Sequence, residues 1–223
     1  MKLTLSNTKD GSHTLIHEDL DETYHSRHGA IQEAYHVFIR SGLDLIKSKN
    51  DIRIFEMGFG TGLNTFITYL ENLKNGQQIE YFGLEKHPLK ETIWSKLNYV
   101  EELNEQNNLS IFQKIHEVNW NSLKPINEGF SLNKIEGDLE NLSPDLKVDL
   151  IYFDAFGPRV QPNLWTEEIF IKMFELLNPN GILVTYCCKG DVKRAMIKAG
   201  FTIEKIPGPP GKREMLRAFK IIN

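Results

Sequence analysis

A chain of 223 residues with 40% hydrophobic and 25% charged side chains suits a packed α/β domain, and burial of about 70% of the unfolded surface is expected at this size. No run approaches the roughly 18 apolar residues of a membrane span, the first residues lack a signal-peptide core, and adjacent Cys187 and Cys188 cannot form a disulfide framework. A cytoplasmic, reducing location is expected. The net charge of −4 is unevenly spread: residues 186–223 carry nine Lys or Arg against three Asp or Glu, so this basic part can face a phosphate backbone.

Residues 3–5 and 13–17 alternate around Asp10-Gly11, which predicts a small hairpin appended to the main fold. Ala30 to Ile46 keeps mostly helical spacing, interrupted at Gly42. Residues 1–48 are therefore expected to extend a core spanning 49–223, the whole forming a single domain. His25, His28 and His36 lie nearby, but no cysteine or suitably spaced carboxylate set joins them, and no metal site is expected.

The central signal is residues 51–65. Ile52, Ile54 and Phe55 suit a buried parallel strand that runs into Glu56, Gly58, Gly60 and Gly62 before a helix opens near Leu63. Such a turn lets a ligand lie on the main chain beside the free amides of a helix N-terminus. A dinucleotide fingerprint would put its third glycine at Leu63; here the spacing is E-x-G-x-G-x-G. This resembles the first motif of class I S-adenosylmethionine-dependent methyltransferases, and implies that Glu56, Gly58, Gly60, Thr61, Gly62 and Asn64 serve the cofactor.

Ile79 to Leu84 read as the next strand, closing on Glu85, where a carboxylate can take a ribose diol. Phe130 to Glu136 alternate as a strand ending in Gly137-Asp138, where the aspartate is matched to the adenine amino group. Val148 to Phe153 form a buried strand that closes on Asp154, and Pro158 and Pro162 then forbid an immediate helix, so a shaped loop is expected at the strand's carboxyl end. Thr166 caps a helix stopped by Pro179-Asn180-Gly181. A strand to Cys188, a basic helix from Asp191, a strand to Ile206 and a last strand from Met215 follow. The predicted fold is Rossmann-like α/β: a mostly parallel seven-stranded sheet with its last strand antiparallel.

At this point several longer segments resemble the methyltransferase half of the tRNA 5-methylaminomethyl-2-thiouridine biosynthesis bifunctional family, over nearly the whole chain. They are YHSRHG, QEAYHVF, GFGTGLN, EKHPL, DAFGP with QPNLWT, and AGF with GKREMLR. The resemblance implies methyl transfer from S-adenosylmethionine to the aminomethyl nitrogen of a modified wobble uridine. It puts Gly58, Gly60, Gly62 and Glu85 on the cofactor, Asp138 by adenine and Asp154 at the reacting centre. The tRNA anticodon loop is the implied partner. Bifunctional members also carry a flavin-dependent oxidase domain, so a separate oxidase is expected to make the amine, or the substrate differs. The family usually has D-G-F-A-P where this chain has Asp154-Ala155-Phe156-Gly157-Pro158, and a differently bent loop is one expectation.

An alkylamine with pKa about 10 must lose a proton before it attacks, and a carboxylate of pKa about 4 is too weak to hold that proton. Asp154 is thus expected to aim the amine as an acceptor, or to contact the cofactor's own amino group. Phe156 and Trp165 are candidates to stack on the flipped base, with Pro158 beside them, and Lys212 and Arg213 are candidates for anticodon phosphates. A class I methyltransferase of a small-molecule or protein amine, and a non-catalytic cofactor-fold module, are the alternatives.

Overall fold

Leu3–Asn7 (β1) and His13–His17 (β2) pair antiparallel, Leu3 opposite His17 and Asn7 opposite His13, which centres the turn on Asp10-Gly11 as predicted. Glu22–Thr23 (β3) completes this small sheet. The computed structural model describes residues 2–143 and 145–221; Met1, Ile222 and Asn223, the ends of the expected 1–223 domain, lie outside the described residues, as does Pro144. The hairpin is less of an appendage than its position suggests, because Leu15 is 1% exposed within the main core.

The helix expected over 30–46 is broken into α1 (Ala30–Ala34), a π turn over Tyr35–Arg40 and a 3-10 turn at Leu43–Leu45. Gly42 sits at the break. A Cβ there would lie 2.6 Å from the Phe38 carbonyl oxygen, so only glycine lets the chain pass so close.

The core then runs β4 (Asp51–Met57), α2 (Leu63–Asn75), β5 (Gln78–Glu85), α3 (Glu91–Trp94), α4 (Tyr99–Glu102), α5 (Leu109–Glu117), β6 (Lys124–Asn127), β7 (Phe130–Glu136), β8 (Val148–Phe153), α6 (Glu167–Leu176), β9 (Leu177–Thr185), α7 (Gly190–Lys198), β10 (Thr202–Pro207) and β11 (Glu214–Phe219). The strand order is β10-β11-β9-β8-β4-β5-β7-β6. All seven expected strands are present, and β11 runs antiparallel to both its neighbours. An eighth, β6, pairs antiparallel with β7 at the edge; Pro125 hid it from sequence reading, and an edge strand is where proline is tolerated. β9 begins earlier than predicted. It bulges through Pro179-Asn180-Gly181, where Asn180 has φ 62, and ends at Thr185, so Cys187 and Cys188 lie in the following loop and not in the strand.

Alternation along the strands builds two interior layers. Ile52, Ile54, Leu150 and Tyr152 face a core with residues of α1, α2 and α5, while Phe55, Met57, Ile151 and Phe153 face one with α6 and α7. From β4 the chain winds one way through β5 and the other way through β8 and β9. The crevice at this reversal opens over the carboxyl ends of β4, β5, β7 and β8.

Candidate functional site

The loop after β4 is shaped by close approach. Gly58 has φ 92, and a Cβ on it would sit 2.9 Å from the Asp154 carbonyl oxygen, so the ends of β4 and β8 touch at this residue. Gly60 has φ 51, and Gly62, φ 72, precedes the first turn of α2. Glu85 pins the loop: one carboxylate oxygen accepts the Gly60 N–H at 2.9 Å and the other the His87 N–H at 2.8 Å. Its main-chain carbonyl takes the Gly137 N–H at 2.9 Å, drawing the third strand end to the same place.

These ends enclose a cleft of about 340 Å³, lined by Gly58, Gly60, Thr61, Asn64, Glu85, Gly137 and Asp138 among others, within the size range of small-ligand sites. Asp138 is exposed and its carboxylate meets the Lys86 ammonium at 3.0 Å. Two expected cofactor contacts are corrected. Glu56 is fully buried behind the loop, accepting hydrogen bonds from the Asn64 amide at 2.8 Å and the Thr65 hydroxyl at 3.3 Å. Burial pushes its carboxyl up to about 8, partly offset by the hydrogen bonds from Asn64 and Thr65. Gly62 likewise stands off the cleft: a Cβ on it would meet the His116 ring at 3.0 Å, so it is there for packing. Thr61 reaches the cleft mainly with its main chain, because its 1% exposed side chain is used by the Tyr99 hydroxyl at 3.1 Å and the His25 ring at 3.2 Å.

Asn64 supplies the strongest fit to an S-adenosylmethionine-type ligand. Its NH₂ group donates to both Glu56 at 2.8 Å and Asp154 at 2.9 Å, which fixes the amide's orientation. Its carbonyl oxygen is then left buried in the cleft wall without a partner among the described residues. An unpaired buried acceptor costs free energy unless something donates to it, and an amino-acid ammonium is such a donor. Side-chain-free glycines for close contact and the Glu85 carboxylate for a diol complete a cradle of matching chemistry.

Asp154 stands where this cleft meets a second cavity of about 540 Å³; Tyr24, His25, Ala155 and Phe156 line both. Burial, then the charges of Glu33 and Glu56, hold the Asp154 carboxyl well above the usual carboxylate range, against opposing pulls from Asn64 and Lys212. The assumption of an ordinary carboxylate is therefore corrected: the site is too dry for one. His25, the histidine nearest the junction, is partly buried, and its desolvation pushes it down to about 4, so it is neutral at ordinary pH. Among the described residues no His, Cys, Asp and Glu side chains gather as a metal site.

The loop that carries Asp154 is braced at three points. The Phe156 N–H donates to Gln161 at 3.1 Å, the Trp165 indole N–H donates to the Phe156 carbonyl at 2.8 Å, and the Tyr186 hydroxyl donates to the Ala155 carbonyl at 2.8 Å. A Cβ at Gly157 would meet only the Tyr186 hydroxyl, at 3.6 Å, so the exchange of small residues around Phe156 asks for no different bend. Phe156 stands edge-on to Tyr24 with ring centroids 5.1 Å apart, and Pro158 lines the second cavity. Trp165 is corrected: it is 5% exposed and packed on Phe153 and Phe170, so it supports the loop and offers no face to a base.

Lys212 and Arg213 part company. Lys212 turns inward, its ammonium 2.7 Å from Glu33 and 3.8 Å from the centre of the Tyr186 ring, inside the second cavity. Of the two, Arg213 is the one exposed at the cavity mouth. Tyr24, Glu33 and Tyr186 were not predicted as site residues; the first two lie in the motif segments YHSRHG and QEAYHVF, while Tyr186 shows no signal beyond following a strand.

Comparison with known proteins agrees with this fold. The sequence model of a family described as S-adenosyl-L-methionine-dependent methyltransferase matches residues 100–221. The tRNA 5-methylaminomethyl-2-thiouridine biosynthesis bifunctional protein MnmC of Pseudomonas entomophila is 31% identical over 88% of this chain and 32% of its own length. That of Hydrogenovibrio crunogenus is 29% identical over 87% of this chain and 31% of its own. The chain thus spans about a third of the length of these curated relatives. The crystal structure of MNMC2 from Aquifex aeolicus superposes with a TM-score of 0.79 at 27% identity, covering 98% of this chain and 70% of that one. Spermidine synthase from Thermotoga maritima, with a TM-score of 0.53 at 12% identity over 100% of this chain and 73% of its own, shares the fold.

Proposed function

Because the chain belongs to the S-adenosyl-L-methionine-dependent methyltransferase family, we propose that residues 1–223 act as one domain that methylates the 5-aminomethyl nitrogen of a modified wobble uridine in tRNA. The observation that carries this reading is the meeting of two cavities at Asp154, one fitted to the cofactor and the other open to a substrate. Two relatives named for tRNA 5-methylaminomethyl-2-thiouridine biosynthesis support the choice of substrate.

When bound, S-adenosylmethionine supplies an electrophilic methyl group. The chain's own work is to orient. Asn64 and the Gly58–Gly60 main chain hold the amino-acid end, Glu85 the ribose, and Gly137 and Asp138 the adenine side. One oxygen of Asp154 is tied to Asn64, leaving the other to accept an N–H from the incoming amine and aim its lone pair. Phe156 and Pro158 wall the acceptor side, where an unpaired base gains about 1–3 kcal/mol by stacking. Arg213 at the mouth meets anticodon-loop phosphate. The primary amine is supplied by a flavin-dependent oxidation, and the reaction runs in the cytoplasm; no described helix is long and apolar enough to cross a membrane.

The test is mass spectrometry of wobble nucleosides from cells lacking the protein. Loss of the methylaminomethyl nucleoside with build-up of its unmethylated precursor is expected, restored by the wild type and not by Asp154→Asn. An unchanged nucleoside profile would overturn the proposal.

A further inference from the structure

The second cavity already contains a cation. Lys212 comes from the turn between β10 and β11, Glu33 from α1 and Tyr186 from the loop after β9, and these three distant segments meet so that one ammonium rests on a carboxylate and an aromatic face together. Glu33 is further fixed by the Ser26 N–H at 2.9 Å, and its side chain is only 9% exposed. A carboxylate and a ring face are the two features by which a pocket stabilises an ammonium ion. In this cavity both are occupied by the protein itself.

We propose that Lys212 is a positioning residue for methyl transfer: its fixed charge, held by Glu33 and Tyr186 beside Asp154, disfavours the ammonium form of the acceptor and brings the amine to the cofactor uncharged. This rests on the reading of the site as amine-methylating. A like charge at close range lowers the pKa of an amine, and Lys212 offsets the Glu33 charge that would otherwise favour the ammonium, so the incoming group meets Asp154 as its hydrogen-bond acceptor. The balance is simple. The acceptor R–CH₂–NH₃⁺ gives one proton to solvent, producing R–CH₂–NH₂, which donates one N–H to the free oxygen of Asp154. The nitrogen lone pair then forms the N–CH₃ bond as the S–CH₃ bond breaks, with the electron pair leaving on sulfur. The product R–CH₂–NH₂⁺–CH₃ departs.

The remaining charged groups around the cavity leave this role to Lys212. Glu22 is paired with Arg159 at 3.1 Å, and Glu214 with Lys205 at 2.8 Å, so each acid is offset by its own base. Arg213 and Lys189 line the cavity as exposed cations. Burial raises the Cys187 thiol, and burial together with Asp154 raises the Tyr186 phenol, so neither supplies a competing anion near neutral pH. His25 is neutral there, and burial keeps the Tyr24 hydroxyl protonated.

The experiment is the pH dependence of single-turnover methyl transfer to undermodified tRNA, using wild type, Lys212→Met and Lys212→Arg with saturating cofactor. For Lys212→Met the apparent midpoint of the rising limb should move up by about one pH unit, giving roughly tenfold slower transfer at pH 7 and recovery toward the wild-type rate in alkali. Lys212→Arg should retain the wild-type midpoint even with a lower plateau. A loss of rate by the same factor at every pH in Lys212→Met, or a midpoint that does not move, would overturn the inference. A wild type that transfers no methyl group to tRNA would instead overturn the reading on which the inference rests.

Discussion

The contact between the ends of β4 and β8 gives a sharp test through Gly58→Ala. Two costs add there. The residue has φ 92, a region closed to a Cβ, and left-handed geometry costs an L-residue roughly 1–2 kcal/mol. The new methyl would also stand 2.9 Å from the Asp154 carbonyl oxygen, and main chain cannot swing aside as a side chain would; forced overpacking adds about 1–3 kcal/mol. The expected total is about 2–5 kcal/mol. Gly76→Ala is the internal control, since Gly76 has φ 70 at the end of α2 but nothing within 4 Å of its would-be Cβ. It should cost the backbone term alone, about 1–2 kcal/mol. Urea unfolding of both variants, read as midpoint shifts at unchanged slope, separates the contributions. Gly58→Ala should also weaken S-adenosylhomocysteine binding in calorimetry at least tenfold, because relief of the overlap moves the loop that carries Asp154, while Gly76→Ala leaves binding alone. Equal destabilisation of the two variants would refute the close approach on which the site's geometry depends.

Three further outcomes are expected. Asp154→Asn should keep cofactor affinity within a few-fold in calorimetry yet lose more than tenfold in turnover, because an uncharged amide is a poorer acceptor for the amine N–H and presents donors of its own; an equal loss of both would assign Asp154 to the cofactor. Glu56, with its carboxyl raised to about 8, holds a proton in the folded state that the unfolded chain releases above the ordinary value of 4.5. Its contribution is therefore fully present below about pH 4.5 and lost as pH rises through about 8, on the order of a few kcal/mol, so Glu56→Gln should flatten stability between those limits in urea titrations, and a parallel pH dependence would count against it. Arg213→Ala should lower the salt slope of tRNA binding by about one unit at most without altering cofactor affinity, whereas identical slopes in filter retention would remove Arg213 from the RNA surface.

Much of this was legible in the sequence because the informative residues are glycines and strand-end acids whose role is local. Gly58, Gly60, Glu85 and Asp154 each follow a run of buried strand residues, and strand polarity alone brings those ends to one edge. What lay hidden depends on depth and on distant partners. Glu56 belongs to the same motif as Gly58, but strand alternation turns its side chain away from the ligand and onto Asn64 and Thr65. Trp165 reads equally as a stacking platform or a core residue until its indole is seen donating to Phe156. Lys212 looks like a surface cation in a basic stretch, and only the packing of α1 beneath the last hairpin turns it inward to Glu33, 179 positions away in the chain.

In the proposed reaction the two joined cavities pass a methyl group from S-adenosylmethionine to an aminomethyl nitrogen on tRNA. Its most direct test is incubation of the purified chain with methyl-labelled S-adenosylmethionine and tRNA bearing a 5-aminomethyl wobble uridine, followed by digestion and mass spectrometry of the nucleosides. One labelled methyl group is expected, carried on the aminomethyl nitrogen and absent when Asp154→Asn replaces the wild type. Label on the base ring, on a ribose or on free small amines with the wobble nucleoside untouched would contradict it.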